Sequence, residues 1–547
     1  MSGLANRYET ASSSGASPRV LNDSSSLTPR ATEGCRLGAR SSLARHAAAW
    51  LVGAAVATSA VPAWGQKAAV KGSAYGCAMA VDGNVAVVGS WAAGYIAQIG
   101  DQLGLVRAGG AHFYDRNASG QWVEAFRWTP NTEQAGDRFG HAVAIRGGLA
   151  AIGGLDDCDA AYLGGAVYVI ERINGAWTQG AKLTAAEAAR DDHFGRAVAI
   201  GDNMILIGAD YDDDAADPEA PDRTTCNSGS VYVFERSNGV TWVQTAKITA
   251  PDAGCDDHFG FSLAASGGLV FVGAPLDDDG GRDAGAVYVY ERVGGLWTMR
   301  LKLHAADAAP RAQFGFSLAA RPSGGSTQLA VGSPWQGPLS RGAAYLYNYS
   351  SGAATPVAQL STSDTEPGGG LGFSVALDDG LLVAGAPLEA ESGLQRGAAF
   401  VATSSGGTWG ALQRLNTGGT GLADSEGLSV GAAAGHALVG VPSGDAFPGS
   451  NYLNTGLVVA FDQAASWAPS QTLKPTFPCP FSWTSDWNGN GKVGLDDDRN
   501  DRILYQAHLS TCHKYPSDPP PADLNGDGVC NEADLLLFDF ANKELGC

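Results

Sequence analysis

The chain has 547 residues, including 75 Gly, 25 Pro and 4 Met, and 35 Lys plus Arg stand against 56 Asp plus Glu. Gly at about 14% is twice the usual share but follows no Gly-X-Y period, which excludes collagen and points to a turn-rich β protein; 44% hydrophobic and 17% charged residues exclude a wholly disordered chain. The formal charge of −21 argues against a nucleic-acid binder, because phosphate recognition depends on clustered Lys and Arg, and is compatible with binding divalent cations.

Residues 1–65 read as a leader. Arg40, Arg45 and His46 precede a 15-residue apolar run at 47–61, and Ala63-Trp64-Gly65 offers small residues at a cleavage site before Gln66. The run falls short of the ~20 residues that span a bilayer, so the pattern predicts a secretory signal rather than an anchor. No later stretch is long enough to span a membrane, and the expected location is secreted or cell surface. Cleavage leaves 29 basic and 53 acidic residues, a net of −24. It also leaves eight cysteines: Cys77, Cys158, Cys226, Cys255, Cys479, Cys512, Cys530 and Cys547. An even number in an exported chain suggests disulfides without fixing their connectivity.

From 66 to 475 one unit recurs. Its clearest copies are FGRAVAIGDNMILIGAD from Phe194, FGFSLAASGGLVFVGAP from Phe259 and LGFSVALDDGLLVAGAP from Leu371. Each is followed by a Gly-small-apolar-aromatic run at Gly229, Gly285 or Gly397, and then by Trp242, Trp297 or Trp409. The anchors are Tyr75, Phe139, Phe194, Phe259, Phe314 and Leu371, with a degenerate seventh copy at Glu426. The short β-branched and aromatic stretches between Gly, Asn and Asp turns make each unit four antiparallel strands. One such sheet cannot bury both faces, so seven of them predict an all-β, seven-bladed β-propeller. The Gly after each anchor and the Gly before Ala-Pro are expected to allow close approach near the axis. The repeated Trp is expected in the packing between blades. The last blade is expected to be completed by its own strand, 467–474.

These units resemble the FG-GAP repeats of integrin α-subunit-type propellers and their bacterial relatives, over roughly residues 75–475. Calcium-binding blades of that family carry a DxDxDG loop between the FG and GAP strands. Here the corresponding turns, such as IRGGLA, IGDNMI and ASGGLV, lack the ligand spacing, so those sites are not carried over.

Three blades carry carboxylates after the GAP strand: Asp156, Asp157 and Asp159; Asp210, Asp212, Asp213 and Asp214; Asp277, Asp278, Asp279 and Asp283. They read either as calcium ligands or as a solvated acidic rim. Recurrence with the blades favours a structural role over one glycosidase centre, and the repeated Asp192-His193 and Asp257-His258 pairs read as turn residues rather than catalysts. No GxSxG, HExxH or P-loop motif nominates a catalytic group.

Residues 476–547 form a different module. DWNGNGKVGLDD places Asp486, Asn488, Asn490, Lys492 through its carbonyl, and Asp497 at calcium-loop positions, with Gly491 at the sharp turn. DLNGDGVCNEAD places Asp523, Asn525, Asp527, Val529 and Asp534 likewise, with Gly528 at the turn. Alternating oxygen ligands suit a hard cation, and each loop precedes an apolar helix-like run. The pair resembles a dockerin type I module, a small α-helical calcium-loop domain. The resemblance implies calcium as cofactor and a cohesin-like partner, although Leu495-Asp496 and Glu532-Ala533 replace the Ser/Thr pairs common at the specificity positions. Cys479 and Cys547 bracket the module and would suit a clasp, leaving Cys512 for Cys530.

The expected function is that of an exported, non-catalytic binding or adhesion protein, its propeller an interaction platform and its calcium module a dock. The expected partners are a cohesin-like or cell-envelope protein, or a polysaccharide. The alternatives are a carbohydrate-active enzyme with a targeting appendage and a purely structural envelope component.

Overall fold

The computed structural model describes residues 74–92, 95–99, 102–106, 108–130, 136–213, 226–391, 394–417, 424–433, 435–443 and 456–474, with the two-residue strands Phe481–Ser482 and Ala522–Asp523. The leader at 1–65 lies outside these residues, as does the C-terminal module apart from the two short strands.

Every repeat unit folds as one four-stranded antiparallel blade, and seven blades form. The first comprises Tyr75–Asp82, Val85–Ser90, Ala111–Arg116 and Trp122–Trp128, with a hairpin of Tyr95–Ile99 and Gln102–Val106 inserted between its second and third strands. Blades 2 to 5 occupy 142–183, 197–248, 262–303 and 317–360. Blade 6 has Ser374–Asp378, Leu381–Ala386 and Ala398–Ser405, and its outer strand is split into Thr408–Trp409 and Gln413–Leu415. Blade 7 is Val430–Ala433, His436–Val441, Leu457–Asp462 and Ala468–Leu473. The innermost strands touch in sequence from blade 1 to blade 7 and back to blade 1, so the ring is closed.

Burial follows from this stacking. Second strands such as Met204–Ala209 are buried on both faces, since each sheet is sandwiched between two others. Outer strands such as Thr241–Ile248 include exposed positions among buried ones, because they border solvent. The repeated Trp lies at the seams as expected. Trp177 of blade 2 stacks on Phe113 of blade 1 at 4.7 Å, and Trp242 packs in the cluster shared by blades 2 and 3.

The glycines near the axis carry a steric demand. A Cβ on Gly208 would land on the carbonyl of Gly260 in the next blade, and one on Gly440 would strike that of Gly76 across the closing seam. From blade 4 onward a serine three residues after the anchor reinforces the approach: Ser262 Oγ donates to Gly315 O at 2.6 Å, and Ser429 Oγ to Gly76 O at 2.7 Å. Blade 7 is completed by Ala468–Leu473, as the sequence suggests. Since blade 1 also supplies its own outer strand, closure rests on side chains: Tyr75 is fully buried among Leu438, Val458 and Leu473, and the Gln471 amide brackets the Trp122 backbone at 2.7 and 2.8 Å.

A Glu-Arg dipeptide ending the third strand stitches consecutive blades. Arg172 makes a bidentate pair with Asp115 of blade 1, Arg236 reaches Glu171 of blade 2 at 2.6 Å, and Arg292 pairs with Glu235 of blade 3. At blade 5 the dipeptide becomes Asn348-Tyr349; Glu291 turns to Arg300 of its own blade, and Tyr349 meets Phe271 edge-on.

The seventh copy departs at its anchor. Where Phe139, Phe194, Phe259 and Phe314 are fully buried, blade 7 places Glu426, only 7% exposed, with the Thr417 hydroxyl donating to its Oε1. Burial pushes this carboxyl up to about 7, helped by Asp424 and opposed by the Thr417 bond, Arg414 and Arg396.

Candidate functional site on the loop face

The antiparallel order puts the loops between second and third strands on the same face as the connections between blades, and the tight turns on the other. All three acidic clusters therefore gather on one loop face. Their central members are not solvated. Asp157, Asp212 and Asp277 are each only 1% exposed, and each meets a Tyr of its third strand or a Lys of its outer strand. Lys182 Nζ lies 2.7 Å from Asp157 and also pairs with Asp159. Lys247 lies 2.8 Å from Asp212, which also accepts from the Tyr232 hydroxyl at 2.6 Å. Lys302 lies 2.8 Å from both Asp277 and Asp252 and 2.5 Å from Asp279, and Tyr288 Oη lies 2.8 Å from Asp277. Burial alone would lower Lys302, but its hydrogen bonds to Asp252, Asp277 and Asp279 outweigh burial and hold the ammonium above its ordinary value. Burial and the adjacent Asp277 raise Tyr288, so it stays a neutral donor.

Two further blades change acid and base together. Blade 5 has Gln336 in place of the Asp and Gln359 in place of the Lys, both hydrogen-bonded to Asp307. Blade 6 has Glu389 with Arg414 at 3.7 Å. Paired replacement is what a buried ion pair requires, since either partner alone would leave a desolvated charge. Asp277, Asp279 and His304 do offer three donor atoms within 4.8 Å of one another, but Lys302 already supplies the positive charge at both carboxylates. The central acids thus belong neither to an open rim nor to a ligand set free of a counter-charge; they tie each loop to its own third and outer strands.

The repeated histidines are turn residues. His193 and His258 take φ of 58° and 57°, and the same place before the anchor holds Arg138, Gln313 and Ser425 in the same left-handed conformation. Asp192 and Asp257 brace these connections, accepting from Ala189 N at 2.6 Å and Gly254 N at 2.8 Å.

A second feature of this face is a ring around the axis, two residues after each anchor: Cys77, His141, Arg196, Phe261, Phe316, Phe373 and Leu428. The glycine before each is buried, whereas all seven are partly exposed. The ring is contiguous over much of its circumference. Arg196 Nη1 donates to His141 Nε2 at 2.7 Å, its guanidinium stacks 4.1 Å from the Phe261 ring centre, and Phe261, Phe316 and Phe373 follow at 4.8 and 4.6 Å. Burial and the neighbouring Arg196 hold His141 well below its ordinary value, so the imidazole is neutral and can accept. Asp210 lies 3.4 Å from both Arg196 and His258 beneath this arc. One side of the axis is thus polar and the other aromatic. Neither the ring nor the Tyr and Lys partners stood out in the sequence, although the ring lies two residues after each anchor and each Lys five residues after the repeated Trp of its blade.

The ten residues expected to hold calcium fare differently. Asp486, Asn488, Asn490, Lys492, Asp497, Asn525, Asp527, Val529 and Asp534 lie outside the described residues, and Asp523 falls in the short strand paired in parallel with Phe481–Ser482. Cys226 and Cys255 form a disulfide, Cys158 is also disulfide-bonded, and Cys77 is a free thiol. The cysteines of the C-terminal module lie outside the described residues.

No curated protein matches this chain. Two crystal structures of Sqt1 from Chaetomium thermophilum are similar to it. One is 17% identical with a TM-score of 0.41, over 74% of this chain and 89% of that one; the other is 18% identical with a TM-score of 0.40, over 73% and 86%. The FG-GAP repeat family matches residues 122–170, 177–234, 242–290, 297–347 and 355–402. Each matched segment begins on the outer strand of one blade and ends on the third strand of the next, so the repeat in sequence runs across the seams that the structure shows. The chain carries five FG-GAP repeats within an all-β, seven-bladed propeller of four-stranded blades.

Proposed function

We propose that this chain is an exported, non-catalytic binding protein whose propeller presents its loop face to a partner and whose C-terminal calcium loops dock it to a cohesin-like or cell-envelope protein. The observation that carries the platform reading is the axial ring: seven partly exposed residues on a frame of buried anchors and ion-paired loops, a surface displayed at little conformational cost. Export is supported by the leader. Among the described residues no helix is long and apolar enough to cross a membrane. The docking half rests on the two ligand-spaced loops from Asp486 and Asp523.

Calcium titration of the full chain by calorimetry tests the dock. Two bound ions, both lost in Asp486→Ala with Asp523→Ala, and envelope-protein capture that needs calcium support it; capture indifferent to calcium and to these substitutions defeats it. The platform is tested separately by Phe316→Ala with Phe373→Ala, which should abolish partner binding at the loop face while leaving calcium binding intact.

A further inference from the structure

Three Asn-x-Ser triplets occur in the chain, at Asn22, Asn117 and Asn348. In an exported protein this triplet is the acceptor of N-linked glycosylation, provided that it lies at the surface. Asn22 belongs to the leader, outside the described residues. Asn348 sits in the third strand of blade 5, Ala343–Ser350, paired with a strand on either side, and its Oδ1 is buried. Asn117 stands in the open. Asn117, Ala118 and Ser119 are all exposed, in the turn between the third and outer strands of blade 1 and so on the face opposite the loop platform.

The turn leaves the acceptor chemistry unspent. Asn117 Oδ1 accepts from Ser119 N at 3.0 Å and Gln121 N at 2.9 Å, and Gly120 N donates to Asn117 O at 2.9 Å. These bonds close the turn through the carbonyl end of the Asn117 side chain and the backbone of Ser119. Among the described residues nothing engages Asn117 Nδ2 or Ser119 Oγ, which are the nucleophile and the recognition hydroxyl of the triplet. The matching turns of blades 2 and 3 hold Asn174-Gly175-Ala176 and Asn238-Gly239-Val240. Their Asn serves the turn in a left-handed conformation and the hydroxyl is missing, so neither the repeat nor the turn demands Ser119. Asp115, two residues before Asn117, also supplies the acid that the bacterial form of the acceptor adds to the triplet.

We infer that Asn117 is a glycosylation site that takes an oligosaccharide from a polyprenyl diphosphate carrier. Nδ2 attacks the anomeric carbon of the first sugar; the new N–C bond forms as the bond from that carbon to the diphosphate oxygen breaks, the polyprenyl diphosphate leaves, and the amide gives up one proton to solvent. No electrons are transferred to or from the chain. The glycan projects from the turn face, covering the side of the ring away from the platform and leaving the axial residues open. Meeting the transferase rests on the export reading above; the acceptor geometry does not.

Incubating the purified full chain with a bacterial oligosaccharyltransferase and its polyprenyl-diphosphate-linked oligosaccharide, followed by intact mass and glycopeptide mapping, tests the site without requiring export. A free peptide of residues 113–121 shows that the enzyme is active. The expected result is the added mass of one oligosaccharide per chain, mapped to Asn117, lost in Asn117→Gln and in Ser119→Ala and kept in Asn348→Gln. Ser119→Ala retains the backbone N–H that the turn uses, so its loss of modification reads recognition rather than folding. No added mass on the native chain while the peptide is modified, modification at Asn348 in place of Asn117, or a glycan that survives Asn117→Gln would each overturn the assignment. Calcium binding and partner capture by Asn117→Gln stay at wild-type levels, which separates failure here from failure of the platform reading.

Discussion

Replacing Glu426 by Gln isolates the cost of a carboxylate in an aromatic slot. The side chain is 7% exposed, and burial holds its carboxyl at about 7, whereas in an unfolded chain it ionises near pH ~4.3. Between those values the native state binds more protons than the unfolded state, so stability falls as pH rises through the window and levels off above it. The gap corresponds to about 3 kcal/mol lost at pH 8 and about 1 kcal/mol or less at pH 5. Gln keeps an acceptor for the Thr417 hydroxyl and cannot ionise. Glu426→Gln should therefore raise the thermal midpoint by about 3–5 °C at pH 8 and by about 1 °C at pH 5, measured by calorimetry on both proteins in parallel. Asp257, which burial also raises to about 7, adds a background pH dependence that the paired comparison cancels. Equal shifts at the two pH values, or a lower midpoint for the variant at pH 8, would refute the reasoning.

Lys302→Met should destabilise the ring by about 3–5 kcal/mol, because Asp277 and Asp279 lose their counter-charge, and chemical denaturation reads this directly. A variant carrying Lys302→Gln with Asp277→Gln, copying the Gln pair of blade 5, should recover most of that loss; a double variant no better than the single one would show that the pair is not the unit. Gly208→Ala should cost about 3 kcal/mol or more, since its Cβ meets the rigid Gly260 carbonyl, and a near-native denaturation midpoint would contradict the close approach. A double-mutant cycle on Arg236 and Glu171 should return a coupling of about 0.5–1 kcal/mol, falling as salt rises, because both partners are partly solvated.

Much of the architecture was legible in the residues themselves. A unit with one anchor, a GAP strand, an aromatic third strand and a Trp repeats often enough to count the blades, and its glycines mark where backbones touch. Those signals survive in sequence because each is a local steric or burial requirement that recurs at a fixed offset. The blade loops were less legible. Asp157, Asp212 and Asp277 look like a solvated acidic surface until their Lys partners, 25 to 35 residues away, are seen on the outer strand of the same blade. Charge composition counts carboxylates but not the ammonium folded against them.

The linear order of residues by itself thus determined the number of blades, their four-stranded make-up, and the completion of the last blade from its own strand. Tertiary structure alone decided which acids are buried and paired, which residues ring the axis, and that Arg172, Arg236 and Arg292 each pair with an acid of the preceding blade. The physical reason is the range of the interactions. Strand pattern and turn chemistry are set within a few residues, whereas ion pairs and axial stacking join side chains from different strands and blades, whose meeting depends on how the closed ring sets each blade against the next.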